Sequence, residues 1–283
     1  MWIRINGGEF MMGNPNDDGM PIDLESPQVK VFVSPFEIQD TTVTNLEFKE
    51  FVDATGYVTE AEKFGNSFVF HSADKSENAS CCQIHTELPW WHLVKGASWK
   101  HPFGIESSFI EDHPVVHVSR NDAIAYCEWK GVRLPTEQEW EFAARANTTT
   151  TFPWGDDFVT NGKYNANIWQ GVFPSFNSKK DGHLFTAPVK SYNPNNFGLY
   201  QMIGNVWEWC ANKAPIDLDI LVKETPENIW QKNKYYSDEK YAIRGGSFLC
   251  HNSYCKRYKV YSRNSQFATS SSSNLGFRVV RDI

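Results

Sequence analysis

Two cysteines separated by four residues, Cys250 and Cys255, bracket the segment Cys250-His251-Asn252-Ser253-Tyr254-Cys255, just after a turn-like Gly245-Gly246-Ser247. Thiols at this spacing can form a structural disulfide, sit buried as small hydrophobes, or bind a soft metal and do redox work. A zinc site asks for four ligands at recognisable Cys and His spacings, and no Cys-x-x-Cys accompanies the pair. Two thiolates suit a low-coordinate soft ion such as Cu(I). Spacing alone leaves all three readings open. Of the other four cysteines, Cys127 and Cys210 sit beside aromatic residues and read as small core residues, while Cys81 and Cys82 fall in a polar loop. Six cysteines in 283 residues are too few for a disulfide scaffold.

The elements that must position the pair are legible in places. Val29 to Val33 and Phe36 to Ile38 read as short strands, with Asn14 to Gly19 as a polar loop before them. Thr44-x-x-Glu47 has the spacing of a capping box and opens a helix ending near Gly56. Similar start signals at Ser119 and Thr136 predict helices through about Trp129 and Arg145. Residues 60–115 are aromatic and poor in periodicity, which predicts irregular structure, and from 146 onward loops and short strands are expected. No repeat, linker or charge block divides the chain, so one loop-rich α+β domain spanning 1–283 is expected.

With 34 acidic against 27 basic residues, the net charge is −7, which argues against a nucleic-acid partner. No apolar run approaches the ~18 residues of a membrane span, and Met1 to Ile5 lack the basic-then-apolar pattern of a secretory signal. A cytoplasmic monomer is the expectation. The 11 Trp, 11 Tyr and 20 Phe are a high aromatic load; most of these rings read as core packing, and rigid ring surfaces can also bind peptides or sugars.

Segments along the whole chain resemble the formylglycine-generating enzyme, or sulfatase-modifying factor, family. They include Gly7 to Gly13, Thr55 to Glu62, Phe64 to Phe70, Pro89-Trp90-Trp91 with Lys95 to Trp99, and His113 to Ser119. Further blocks are Arg133-Leu134-Pro135-Thr136-Glu137, Asn167 to Gly171, Gly204 to Trp209, Arg244 to Phe248 and Ser273 to Arg278. The Arg-Leu-Pro-Thr-Glu, Gly-Asn-Val-Trp-Glu-Trp, Gly-Gly-Ser and Gly-Phe-Arg blocks run through a wider superfamily that includes sulfoxide synthases and lectin-like binding proteins. They speak for a C-type-lectin-like fold and leave activity open. The two cysteines discriminate, because an inactive paralogue type resembles the enzymes and lacks them.

The resemblance implies an oxidase that converts a cysteine in a Cys-x-Pro-x-Arg segment of an unfolded sulfatase-type polypeptide to Cα-formylglycine with dioxygen. It implies Cu(I) between Cys250 and Cys255, with the substrate cysteine as third sulfur ligand. Ser247, Tyr254, Trp207 and Asn274 match polar or packing positions around that pair. Calcium is implied as a second cofactor, at one site of Asn167, Ile168, Asp181 and His183, and at another of Gln201, Gly204, Val206 and Glu208. Departures stand at Gln201, where the family usually has Asn, and at Arg120, where Trp is usual. The alternatives are a non-enzymatic peptide- or glycan-binding module using Trp90, Trp91 and Trp99, and an iron-dependent sulfoxide synthase.

Overall fold

The computed structural model describes residues 1–73 and 82–283, so Cys81 and the glycosylation-like Asn78-Ala79-Ser80 lie outside the described residues. One local device starts four helices. Thr44, Thr59, Ser119 and Thr136 each accept a backbone N–H with their hydroxyl, and Glu47, Glu62, Asp122 and Glu139 return the bond three residues on. Each such cap contributes about 1 kcal/mol. They open α1 (Asn45–Thr55), α2 (Glu60–Phe64), α3 (Arg120–Lys130) and α4 (Glu137–Arg145). Phe48 and Phe51 on the inner face of α1 pack against Tyr126 of α3, and Phe48 and Tyr126 both meet Phe277.

Three sheets of three or more strands frame these helices. The first places Phe36–Gln39 between Trp2–Ile5 and Val280–Asp282, both antiparallel to it. The second runs Arg263–Phe267, Lys240–Arg244, Trp207–Lys213, Leu275–Phe277, with only the last pairing parallel. The third pairs Trp91–Lys95 with both Asn66–Phe70 and Cys82–Ile84. The expectation of irregular structure over 60–115 is therefore corrected by α2 and by this third sheet, in which Cys82 is a strand residue. The later chain also holds two helices, Leu218–Leu221 and Pro226–Asn233. The strands escaped detection because they are short and are joined by stretches longer than a two-residue turn, so neither alternation nor a tight turn marks them. Among the described residues no helix is long and apolar enough to cross a membrane.

The large core mixes apolar side chains with paired charges. Arg244, fully buried, meets Glu137 at 3.1 Å and Glu141 at 2.6 Å, and Arg263 meets Glu137 at 2.8 Å. Burial pushes the Glu137 carboxyl up, but Arg263 and Arg244 outweigh it and hold the group at about 2. Arg278 and Glu208 form a second buried pair at 3.0 Å. Such pairs are costly to break one side at a time, because a lone buried charge remains. Trp99, 1% exposed, belongs to this core, which corrects its assignment to a ligand-gripping surface.

Candidate active site

The buried charges of α4 fix where the strand Lys240–Arg244 ends, and the next residues turn toward the thiols. Gly245 and Gly246 have φ of 92° and 75°, a region that side chains disfavour. A Cβ on Gly245 would come within 2.9 Å of the Met202 carbonyl oxygen, and one on Gly246 within 2.8 Å of the Arg257 carbonyl oxygen. The Gly-Gly pair is thus required by backbone angle and by space. Ser247 follows, and its N–H donates to Cys250 Sγ at 3.4 Å. Its hydroxyl accepts from Leu249 N–H at 3.3 Å and from Asn274 Nδ2 at 2.8 Å. Asn274 is in turn fixed by Ser272, whose hydroxyl donates to its Oδ1 at 2.8 Å, and by Trp207 N–H, which donates to its carbonyl at 2.9 Å.

Cys250 and Cys255 are both buried and unbonded, and Cys250 Sγ donates to Cys255 Sγ at 3.1 Å. Of the readings left open by spacing, the disulfide is absent in this structure. The two thiols are unequal. Burial pushes Cys250 well above the usual thiol range, whereas the Cys250 hydrogen bond, aided by Arg257, holds Cys255 below it. Cys255 is therefore the readier of the two to give up its proton, and Cys250, which donates to it, the more reluctant.

A cavity of about 460 Å³ opens over the pair, and Ser247, Tyr254, Trp207 and Asn274 line it with the two cysteines. Tyr254 stacks on Phe173 with centroids 4.3 Å apart and meets the Trp90 ring edge-on at 4.9 Å. Trp91 lines the cavity itself, while His251 is turned to Ser253 at 2.8 Å and is no part of the lining. Residues not anticipated from sequence also border it: Arg257, and the strand residues Asn264 to Phe267. Arg257 stands two residues beyond Cys255, so its closeness in sequence is the one local signal for it. Phe173, far upstream, carried none.

The donor set fits a soft, low-coordinate ion. Two sulfurs face each other, and among the described residues no group of three or more His, Cys, Asp or Glu gathers as a harder site. For calcium, the first set is partly convergent. The Gln170 amide Nε2 donates both to the Ile168 carbonyl and, at 2.6 Å, to Asp181 Oδ2, so two oxygens of that set aim at one point. His183 N–H donates to Asp181 Oδ1 at 3.0 Å, and Asn167 Nδ2 is turned to the Phe185 carbonyl at 2.8 Å. The second set is arranged otherwise. Glu208 accepts from Trp140 Nε1 at 2.8 Å and from Arg278 at 3.0 and 3.1 Å, and Gln201 Oε1 accepts from Asn205 at 2.5 Å. With an arginine already neutralising Glu208, Gly204 and Val206 have no free carboxylate beside them, and these four residues do not fit a calcium.

Comparison with known proteins places this architecture. The family model described as the sulfatase-modifying factor enzyme 1-like domain matches residues 1–283. A formylglycine-generating enzyme of Streptomyces coelicolor is 45% identical, over 99% of this chain and 88% of its own. An inactive Cα-formylglycine-generating enzyme 2 of Bos taurus is 40% identical, over 98% of this chain and 86% of its own. The solved structure of PvdO from Pseudomonas aeruginosa shares the fold with a TM-score of 0.71 at 24% identity, covering 100% of this chain and 94% of that one. The loop-rich α+β fold, the Gly-Gly-Ser turn and the match along the full length together make this chain a member of the sulfatase-modifying factor, or formylglycine-generating enzyme, family.

Proposed function

We propose that this protein oxidises the cysteine of a Cys-x-Pro-x-Arg segment in an unfolded sulfatase-type polypeptide to Cα-formylglycine, with dioxygen as acceptor and Cu(I) as cofactor. Relatives named formylglycine-generating enzymes support the conversion, but others are named inactive, so membership alone does not decide activity. The observation that carries the reading is the unbonded Cys250–Cys255 pair, 3.1 Å apart at a cavity wide enough for a peptide side chain.

Cys250 and Cys255 would hold the copper, which when bound supplies the one-electron chemistry that activates dioxygen. The chain's own residues do the rest. Tyr254, backed by the rings of Trp90 and Phe173, walls one side and keeps water from the reacting carbon. Ser247 and Asn274, locked to each other, hold fixed hydrogen-bonding groups beside Cys250. The arithmetic of the reaction is simple: two electrons and two protons leave the substrate Cβ and Sγ for dioxygen, and water then replaces sulfur, which departs as hydrogen sulfide. One calcium at Asn167, Ile168, Asp181 and His183 completes the proposal, replacing the Gln170 amide between oxygens that already converge.

The test is a short Cys-x-Pro-x-Arg peptide incubated with the protein, Cu(I) and air. Mass spectrometry should show sulfur exchanged for oxygen with two hydrogens lost, and a carbonyl-reactive probe should label the product. A peptide recovered unchanged while copper is bound would overturn the reading.

A further inference from the structure

The strand Arg263–Phe267 is an edge. On one side it pairs with Lys240–Arg244, and among the described residues no strand lies on the other. Antiparallel pairing alternates, so every second residue turns its N–H and C=O outward. At those positions the outward donors have found local substitutes. Ser265 N–H donates to the side-chain Oδ1 of Asn264 at 2.9 Å, and Phe267 N–H to the side-chain Oε1 of Gln266 at 3.0 Å. Bare strand edges are templates for an incoming extended chain. Here two amide side chains cover the template and remain partly exposed, free to turn to water if displaced. The exchange keeps the number of hydrogen bonds and costs little. The same strand residues, Asn264 to Phe267, border the cavity that holds Cys250 and Cys255.

We propose that the polypeptide substrate docks as an added β-strand on Arg263–Phe267, taking the outward N–H groups of Ser265 and Phe267 from the Asn264 and Gln266 side chains. The occupant rests on the function proposed above: it is the extended segment that carries the target cysteine to the thiol pair. An edge reads backbone, so it accepts unfolded segments of many sequences. It rejects a folded client, whose backbone groups are already paired. Asn264 and Gln266 then act as a removable guard that keeps the empty edge from pairing with a second copy of the chain.

The full chain is tested with Cys-x-Pro-x-Arg peptides carrying one backbone N-methyl group at each non-proline position in turn. The expected result is a KM raised about five- to tenfold at alternate positions, with kcat held, since each lost backbone hydrogen bond is worth about 1 kcal/mol. Ser265→Pro, which removes one outward donor at an edge position where proline is tolerated, should raise KM similarly. The peptide should also slow hydrogen exchange at the Ser265 and Phe267 amides. Exchange reads binding whether or not the peptide turns over, so failure of the oxidase reading leaves this measurement standing. A KM indifferent to N-methylation at every position, or unprotected amides at saturating peptide, overturns the proposal. So does a wild-type chain that self-associates where Ser265→Pro does not, because the edge would then belong to a second copy.

Discussion

Arg257 donates Nε and Nη2 to the two carboxylate oxygens of Asp23, at 2.6 and 2.9 Å, across 234 positions of chain. The bidentate pair pins a guanidinium beside Cys255, where it favours the thiolate. Arg257→Met in metal-free protein should therefore move the pH midpoint for alkylation of Cys255 upward. Alkylation followed by peptide mass spectrometry reads it site by site. Arg257→Lys should recover part of the shift, and an unmoved midpoint would show that the pair is a tether only.

Cys250→Ser and Cys255→Ser should each lose stoichiometric Cu(I) binding and turnover while keeping the thermal stability of the parent within a few degrees. A two-sulfur site cannot hold a soft ion once one sulfur is replaced by a hard hydroxyl. Metal-stripped wild type should be inactive until copper is returned. Normal turnover in a strong Cu(I) chelator would point instead to thiol chemistry without a metal.

Asp181→Ala should lower the melting temperature in calcium and leave the intrinsic rate largely intact. A ligand at a hundredfold excess over its Kd stabilises the native state by about 2.7 kcal/mol. EDTA should thus destabilise wild type and scarcely touch the variant, as read by calorimetry. An EDTA-insensitive wild type would remove calcium from this loop.

His117 links stability to acidity. Its ring is wholly buried between Ser67 Oγ and the Pro102 carbonyl, each at 2.8 Å, and burial lowers its pKa from near 6.5 to about 4. The unfolded chain binds this proton first, so the contribution is full above 6.5 and is lost as pH falls toward 4, on the order of 3 kcal/mol. Asp122, lifted to about 6 chiefly by burial, gains over much of that window and offsets the loss in wild type. His117→Gln retains Asp122 and lacks the titrating ring, so its stability relative to wild type should rise from pH 6.5 to 4. Denaturant midpoints that stay in fixed proportion would refute the assignment.

What was legible in the sequence follows the range of the interaction. The caps at Thr44, Ser119 and Thr136 act over three residues, and their helices begin where the spacing predicts. Thr59-x-x-Glu62 carries the same signal, but α2 is only five residues long and shows no periodicity to support it. The Cys250 and Cys255 spacing drew attention to the pair, and the resemblance supplied Ser247, Tyr254, Trp207 and Asn274, which the structure places around one cavity. Arg257 to Asp23, Tyr254 on Phe173 and the Glu208–Arg278 pair are set by folding over 70 to 234 positions, and no local pattern announces them. The last of these bears on the second calcium set: sequence shows that Glu208 is acidic and not that an arginine already pairs with it.

The first sheet has a consequence for the newly made chain. Its middle strand, Phe36–Gln39, is complete only when Val280–Asp282 arrives on its second side. At ~5–20 residues per second, a ribosome takes roughly 12 to 50 seconds to make the intervening stretch. Throughout that interval one margin of Phe36–Gln39 is unclaimed, and any sticky nascent neighbour can reach it. Yield in a cell should therefore respond to translation speed and holdase chaperones more than to equilibrium stability, a vulnerability in time written by the order of three strands.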